Sequence, residues 1–404
     1  MIFARRVRGL EGVVRWWWGW CVFSCVVLGP LGELAVRAES AGGSGSGSWG
    51  FAVMADPRPS RARYPASDRK RGSHSGFRDD LVELKRLVDS PSSDWPAPAF
   101  LVICGDIDEV GYCDSEIRAV MGEGFCWVPV LGNHDLESRE GFKAILAEMM
   151  AGRVGPQGLR VTLGPKGTRY WQYMLSYRNG LLVITNAYWD GSDAEGAEIG
   201  HAPRQVETEK LRDGTTTQRV KYACDGWIAP GNLSWHDRVL SGSKVRHKFV
   251  FCHEPCWPFH RHEEDSLSDH PASRDRFWAL LGRTGVRAFF CGHSHWYSTY
   301  RWPGNKGTDR WQGYVSSIIR GPVGVWQIDA GAARGALVTN RYDRVIVQVR
   351  VDSADVRVRT QISRRFAGLG SGRWEVPRNG TNVKGRPAMF DWSLLGNGSS
   401  VSTR

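Results

Sequence analysis

The chain has 404 residues, of which 41% are hydrophobic and 24% are charged, and this balance excludes a disordered, collagen-like or polytopic membrane protein. A chain of this length can bury a sizeable core and fits one large domain or two small ones. Its formal net charge of +11 favours an anionic ligand, although nucleic-acid binding would require the basic residues to cluster on one face.

Residues 1–38 have the composition of a secretory signal peptide. Four arginines lie before an uncharged apolar run at residues 16–31. This run is shorter than the roughly 20 residues that a membrane-spanning helix needs, and Gly29-Pro30 interrupts it. Val36-Arg37-Ala38 has the form of a signal-peptidase site. We therefore expect a secreted or periplasmic protein with no membrane attachment after cleavage. Retention of the apolar run as a membrane anchor is the alternative.

The rest of the chain is predicted to have three sections. Residues 39–48 are rich in Gly and Ser and form a flexible linker. Residues 49–365 form one domain. Residues 366–404 carry little hydrophobic pattern and are expected to be a C-terminal tail.

Short apolar runs alternate with helical patterns in the first part of the domain. Buried strands are predicted at 50–55, 100–104 and 126–131. Helices are predicted around 77–88 and 142–149, where apolar residues recur at helical spacing. Alternation of strands and helices over this length predicts a layered α/β domain.

The middle of the domain has a different pattern. The apolar runs at 170–177 and 181–185 flank Asn179-Gly180, a sequence typical of a β-hairpin turn. Residues 190–230 are polar, rich in Gly and poorly periodic, so we expect an insertion or long loops there.

Buried strands resume at 249–252 and 288–291, with a helix around 274–281 between them. Residues 345–351 and 356–362 alternate apolar residues with Arg and other polar residues, which predicts two half-exposed strands. A solvated strand face is the preferred explanation of these arginines, and a contact with nucleic acid is the alternative. We expect no stable nucleic-acid complex, because only the overall positive charge favours a module that binds nucleic acid or a wall polymer.

The predicted buried strands are followed directly by clusters of residues that commonly bind metals. The clusters are Asp56-Pro57-Arg58, Gly105-Asp106-Ile107-Asp108-Glu109, Gly132-Asn133-His134-Asp135, His253-Glu254-Pro255 and Gly292-His293-Ser294-His295. Ligands gather beyond the carboxyl ends of strands in open α/β sheets, so distant clusters can converge on one site. Carboxylate, amide and imidazole groups together suit a hard or borderline metal ion. Each cluster alone is more often a turn or a structural histidine, but five in succession are hard to explain in that way.

This ordered set of clusters resembles the motifs of the calcineurin-like metallophosphoesterases over roughly residues 49–300. The resemblance implies an α/β fold in which a two-sheet β-sandwich is flanked by helices, in four αββα layers, with a metal centre between the sheets. It implies a phosphate-ester substrate and one or two divalent or trivalent ions of iron, manganese or zinc. The reaction implied is hydrolysis of the ester by a metal-bound hydroxide.

The same resemblance assigns six residues to the metals. In chain order they are Asp56, Asp106, Asn133, His253, His293 and His295. The first metal would be held by Asp56 and His295, and Asp106 would bridge the two metals. The remaining three residues would hold the second metal.

The same resemblance implies roles for three further residues and a second role for Asn133. His134 would assist the leaving group, as a general acid or as an electrostatic stabiliser, and Asp135 would orient His134. Asn133 would also neutralise charge on the substrate oxygens. Glu109 stands where the family usually has Asp, and we expect it to support the site from outside the ligand set.

Arg58 departs from the family pattern, which usually has a His two residues after the first Asp. A guanidinium group stays protonated and has no acceptor, so Arg58 cannot bind a metal. The first metal could then bind with water in place of the missing ligand, or bind weakly. Alternatively, Arg58 could hold a phosphate oxygen or pair with a carboxylate and support the loop.

We favour an active enzyme with a weaker first-metal site. The alternative is a degenerate binding protein that has kept the fold and lost turnover.

The polar loop at 258–269 follows His253 closely. Its His260 and His262 could reach the site as extra ligands or as part of a lid. A solvated polar loop is the preferred interpretation.

Overall fold

The structure is a computed structural model that describes most of the chain beyond residue 46. The described residues are 47–58, 73–107, 109–202, 204–210, 216–222, 226–258, 261–263, 265–302, 324–333, 344–363, 374–375 and 391–394. The predicted signal peptide and the first eight residues of the predicted linker, 39–46, lie outside this part. All described elements belong to one compact unit, residues 38–404. None of the described helices has the length and hydrophobicity needed to cross a bilayer.

The described residues contain five α-helices and sixteen strands. The helices are α1 Ser73–Asp89, α2 Val110–Met121, α3 Gly141–Met150, α4 Pro230–Gly242 and α5 Pro271–Arg283. The strands before α4 are β1 Trp49–Met54, β2 Pro98–Cys104, β3 Trp127–Val130, β4 Arg160–Leu163, β5 Tyr173–Tyr177, β6 Gly180–Ile184, β7 Arg204–Lys210 and β8 Thr216–Tyr222. Those after α4 are β9 His247–Phe251, β10 Val286–Cys291, β11 Tyr297–Trp302, β12 Val325–Ala330, β13 Arg344–Val351, β14 Val356–Ser363, β15 Trp374–Glu375 and β16 Asp391–Ser393.

Fourteen of these strands form two sheets of seven. The first sheet has the order β15-β14-β13-β1-β2-β3, with β16 also paired to β14, and the second has the order β11-β12-β10-β9-β6-β5-β4. Strands β1, β2 and β3 are parallel to one another, and so are β6, β9, β10 and β12. The carboxyl ends of the parallel strands therefore meet at one edge of each sheet. Convergence of the five clusters of possible metal ligands, each of which follows a strand, depends on this arrangement.

Aromatic side chains fill the space between the two sheets. The ring of Phe51, on β1, lies 5.7 Å from Phe100 on β2, 5.3 Å from Phe249 on β9 and 6.1 Å from Phe290 on β10. All four residues are fully buried. Each such ring removes a large apolar area from water, so these contacts fix how one sheet faces the other.

Helices cover the outer faces of both sheets. Helix α1 contacts β2 and β13 of the first sheet, and α5 contacts β10 of the second sheet and α4 beside it. Their buried apolar residues recur at helical spacing, as do Phe77, Leu81 and Leu84 on α1. This arrangement confirms the predicted α/β fold with two sheets flanked by helices.

Some elements differ from the sequence-based expectation. Residues 190–230, expected to be an insertion or long loops, include the antiparallel hairpin of β7 and β8. Most residues of both strands are charged or polar and Val206 is exposed, so no apolar period marks them. Helices α2 and α4 were not predicted either. Trp235, Val239 and Leu240 on α4 have the spacing that could have identified it.

Three further expectations change in detail. The hairpin turn consists of Arg178 and Asn179, because Tyr177 pairs with Gly180. Strand β13, expected to be half-exposed, is almost wholly buried because it lies between β1 and β14 under α1. Its Arg344 donates to the Asp80 carboxylate. Within the predicted tail, β15 and β16 pair with β14.

Candidate metal centre

The five strand-end clusters meet at one place between the two sheets. They follow β1, β2 and β3 in the first sheet and β9 and β10 in the second. The six residues assigned to metals are all buried, at 5% exposure or less: Asp56, Asp106, Asn133, His253, His293 and His295. Buried carboxylates are stable only when they are paired or bind a cation, so this concentration of charge requires a positive partner.

One group of donor atoms consists of Asp56, Asp106 and His295, whose possible ligand atoms all lie within 4.8 Å of one another. His295 Nε2 lies 3.1 Å from Asp56 Oδ1. The other oxygen of Asp56 accepts the backbone N–H of His293 at 2.9 Å. These are the residues predicted to hold the first metal, with Asp106 as the bridge.

A second group surrounds His253. Its Nε2 lies 3.2 Å from Asn133 Oδ1, 3.3 Å from Asp106 Oδ1 and 3.1 Å from His293 Nδ1. Asp106 therefore belongs to both groups, as a bridging ligand would. The residues predicted to hold the second metal are brought together here.

The hydrogen bonds on the far sides of the two imidazoles set where their protons lie. His253 Nδ1–H donates to the Cys104 carbonyl at 2.8 Å, and His293 Nε2–H donates to the Asp265 carbonyl at 3.2 Å. His253 Nε2 and His293 Nδ1 are then the ring atoms turned toward the oxygens of Asn133 and Asp106. Burial alone would lower the pKa of His253, but the carboxylates of Asp106 and Asp56 raise it, so this group attracts a cation, either a proton on His253 or a metal ion in its place.

The backbone is strained at four of the candidate ligands. Asp56 and Asp106 each have φ of 52°, His293 has φ of 68° and His295 has φ of 60°. A residue other than Gly in this region costs about 1–3 kcal/mol and persists only where the surrounding structure holds it. The chain thus turns sharply just after β1, β2 and β10, which directs these side chains toward the centre.

The glycines of the motifs make room for the ligands. A Cβ atom at Gly292 would lie 2.5 Å from Asp56 Oδ2, and one at Gly132 would lie 2.7 Å from Asp106 Oδ1 and closer still to its backbone nitrogen. At Gly105, where φ is 78°, it would lie 2.6 Å from Cγ of the His253 ring and closer still to its Nδ1. Gly is required at these positions because the ligand-bearing loops approach without space for a methyl group.

We expect Gly132→Ala to lower metal affinity at least about tenfold, since it displaces Asp106. The added methyl group should also destabilise the protein by about 1–3 kcal/mol. Gly124→Ala is the matched control, because no atom lies within 4 Å of a Cβ built there. Calorimetric titration with Mn²⁺ and thermal unfolding of both variants test this. Equal Mn²⁺ affinity in the two variants would show that the approach of Gly132 does not position Asp106.

The charge state of the centre follows from its neighbours. Burial alone would raise the pKa of Asp106, but the charges of His134, His253 and Arg58 hold it well below its usual value. Asp106 is therefore an anion. Burial and the adjacent His253 and His262 lower the pKa of His293 well below its usual value, so this imidazole is neutral. An anionic carboxylate and a neutral imidazole are the forms that bind metals.

His134 lies at the solvent side of the centre, on a short 3₁₀ turn at Asn133–Asp135. Its side chain is 29% exposed, and its Nε2 lies 3.8 Å from Asp106 Oδ2. Asp135 is fully buried, and its Oδ2 accepts the backbone N–H of Gly132 at 2.8 Å. Asp135 therefore fixes the turn that carries His134, and direct orientation of the imidazole by Asp135 stays a prediction.

Two residues of the first clusters have positive φ and structural contacts. Arg58, with φ of 36°, donates its backbone N–H to the Asp106 carbonyl at 3.1 Å. Glu109, with φ of 66°, precedes α2 and its carbonyl accepts the N–H of Cys113. Asp108 lies outside the described residues.

The loop between β9 and α5 reaches the centre at Arg261 and His262, so the expectation of a solvated loop is wrong for these two residues. The His262 ring lies 3.9 Å from that of His293, and His262 Nδ1 lies 2.8 Å from both carboxylate oxygens of Asp265. Possible ligand atoms of these three residues lie within 4.8 Å of one another. Arg261 contacts His295. The high density of His, Asp and Glu in this segment was the sequence feature that could have indicated a role in the site. His260 lies outside the described residues.

Comparison with known proteins gives one family and several distant structures. A model of the family described as calcineurin-like phosphoesterase matches residues 51–297, which include all five clusters. No curated protein gives a match.

Three solved structures illustrate the structural similarity. A conserved uncharacterised protein, a predicted phosphoesterase from Streptococcus pneumoniae TIGR4, is 11% identical with a TM-score of 0.27, covering 81% of this chain and 98% of that one. Vps29 from Chaetomium thermophilum is 9% identical with a TM-score of 0.29, covering 85% and 96%. A Vps29 double mutant from Entamoeba histolytica is 10% identical with a TM-score of 0.28, covering 81% and 96%.

Proposed function

The chain belongs to the calcineurin-like phosphoesterase family, and we propose that it is a metal-dependent hydrolase of phosphate esters. One observation carries this proposal. Ring nitrogens of His253 and His293 and the oxygens of Asn133 and Asp106 face one another inside a buried site. Such a set of ligand atoms is stable around a cation and serves no purpose in an apolar core.

We assign the metal ligands as the sequence motifs suggested. Asp56 and His295 would hold a first metal, Asp106 would bridge, and the three remaining ligands would hold a second. When bound, the metal activates a water molecule and neutralises charge on the phosphoryl oxygens. The donors suit iron, manganese and zinc alike, since carboxylate and imidazole bind all three.

His134 is proposed to assist departure of the leaving group. Its imidazole is 29% exposed, so a substrate can approach it from solvent while its backbone N–H stays anchored on Asp106 at 3.1 Å. Donation of a proton to the leaving oxygen and stabilisation of its charge are both compatible with this position.

Asn133 and Arg58 are proposed to contact the substrate. An amide and a guanidinium beside a metal-bound phosphoryl group can each hold an equatorial oxygen as its charge develops. Arg58 would thereby replace part of the positive charge that a fully occupied first-metal site supplies.

Export remains a proposal based on residues 1–38. Sequencing the N-terminus of the protein recovered outside the cytoplasm would test it. A mature chain beginning at residue 39 supports cleavage after Ala38, and a chain that retains residues 16–31 supports a membrane anchor.

The second candidate function is a degenerate binding protein that holds a phosphate group without turnover. Arg58 favours it, because the chain has lost one expected imidazole ligand at this position. The complete set of other ligands opposes it.

Metal analysis combined with a substrate panel distinguishes the two functions. We expect purified protein to contain metal, to hydrolyse a phosphomonoester or phosphodiester, and to lose that activity on chelation and regain it when Mn²⁺ or Zn²⁺ is added. Inclusion of single-stranded DNA in the panel tests the nucleic-acid alternative. If the protein is a nuclease, its rate of DNA hydrolysis should fall steeply as the salt concentration rises. Metal-loaded protein that hydrolyses no member of the panel, while still binding phosphate, would favour the degenerate function.

A further inference from the structure

A guanidinium group lies against the imidazole assigned to the first metal. Arg261 Nη1 contacts His295 Nδ1 and lies 3.3 Å from His295 Nε2. Arg261 is half-buried in the loop after β9, so it approaches the centre from the second sheet. His295 is almost fully buried and its Nε2 lies 3.1 Å from Asp56 Oδ1.

Arginine is a permanent cation and has no acceptor atom, so Arg261 cannot share a metal ion with His295. While Arg261 lies against this ring, a cation at either ring nitrogen would meet a like charge at contact distance. Binding a metal at His295 therefore requires Arg261 to move away.

The second group of donors is arranged in the opposite way. His253 and His293 are held by carbonyl oxygens on their far sides, so their other ring nitrogens already point at one another and at Asp106. The carbonyl that holds His293 belongs to Asp265, in the same loop as Arg261. This one loop therefore prepares the second-metal residues for a cation and blocks the first-metal residues.

Arg58 adds to the difference between the two groups. It stands where a His ligand of the first metal is expected, and its backbone is tied to the carbonyl of Asp106. The first group thus has one imidazole fewer than the family pattern. Arg261 lies against its His295 and the charge of Arg58 acts on its Asp106, and each of these permanent charges opposes binding of another cation.

We propose that Arg261 competes with a metal ion for the first-metal residues, so that the centre is filled unequally and the second-metal residues hold the tightly bound ion. The inference rests on the ligand assignment of the proposed function and extends it to a residue outside the family motifs. It predicts that the loop after β9 sets the metal stoichiometry of this chain.

Titration of the metal-free full chain with Mn²⁺ tests the inference. Calorimetry of the wild type should show one tight ion, with any second ion bound at least about 100-fold more weakly. Arg261→Gln keeps a polar side chain but removes the charge, and should tighten the second binding event at least about tenfold. Arg276→Gln on α5, where the side chain is exposed, removes the same charge elsewhere and should match the wild type.

Electron paramagnetic resonance gives a readout that is independent of activity. One equivalent of Mn²⁺ in the wild type should give a mononuclear signal. Two equivalents in Arg261→Gln should give an exchange-coupled signal, because both ions then sit beside Asp106. Two equally tight ions in the wild type, or unchanged binding in Arg261→Gln, would overturn the inference. An inactive protein that shows the expected change in stoichiometry would refute the proposed function and still support competition by Arg261.

Discussion

Replacement of Asp106 by Asn is expected to remove both bound metal and hydrolysis. Asp106 is the residue shared by the two donor groups, lying 3.3 Å from His253 Nε2 and contributing to the group with Asp56 and His295. Asn has the same shape and can still accept the backbone N–H of His134, so the loop should survive while the anionic charge is lost. Loss of a partner outside the ligand set costs about 10–100-fold, so loss of a bridging ligand should lower activity at least about 10³-fold.

The measurement is metal content of the purified variant together with its rate on the best substrate of the panel. Asp237→Asn on α4 is the control, since Asp237 is a half-exposed carboxylate paired with Arg283 on the surface. The control should retain metal and activity. If Asp106→Asn kept its full metal content, Asp106 would be a structural carboxylate and the ligand assignment would have to exclude it.

That the candidate ligands converge on one centre could be predicted, because this follows from the direction of the strands that precede them. Asp56, Asp106 and Asn133 each come directly after a strand of one parallel set, and such strands end at one edge of the sheet. His253 and His293 follow two parallel strands of the other sheet in the same way. Strand-end position and residue type are both written in the sequence, so the set of candidate ligands could be found without coordinates.

The role of the loop after β9 could not be predicted in this way. The contacts of Arg261 with His295 and of His262 with His293 join residues about thirty positions apart in a segment without periodicity. Polar residues in such a segment are compatible with solvent exposure as well as with a site, and only the path of the backbone distinguishes them. The same limit explains the hairpin of β7 and β8, whose polar strands have no buried face to reveal them.

Backbone strain at the ligands was also outside what the sequence specifies. Asp and His tolerate positive φ better than branched residues, but nothing in the sequence required Asp56, Asp106, His293 and His295 to adopt it. The strain is maintained by packing of the two aromatic-rich sheets and by tight approach of Gly132 and Gly292. Loops held in this way should keep their backbone geometry before the metal binds, which lowers the cost of ordering the ligands at the moment of binding.

His134→Ala is expected to separate metal binding from chemistry. His134 is at the solvent side of the centre and is not needed for either donor group, so the variant should bind metal like the wild type. Its backbone N–H, which donates to Asp106, is kept by Ala. Loss of the imidazole should lower the rate of hydrolysis by about 10²–10⁴, the usual contribution of a side chain that assists a leaving group.

The dependence on leaving group makes this prediction specific to the imidazole. An alkyl phosphate has a poor leaving group and needs assistance, whereas a nitrophenyl phosphate departs readily, so His134→Ala should lose much more activity on the alkyl ester. Rates on both esters, measured at equal metal content, provide the comparison with Asp106→Asn, which should lose activity on both equally. An equal loss on the two esters in His134→Ala would mean that the imidazole acts in binding the phosphate, and full activity would remove it from the reaction.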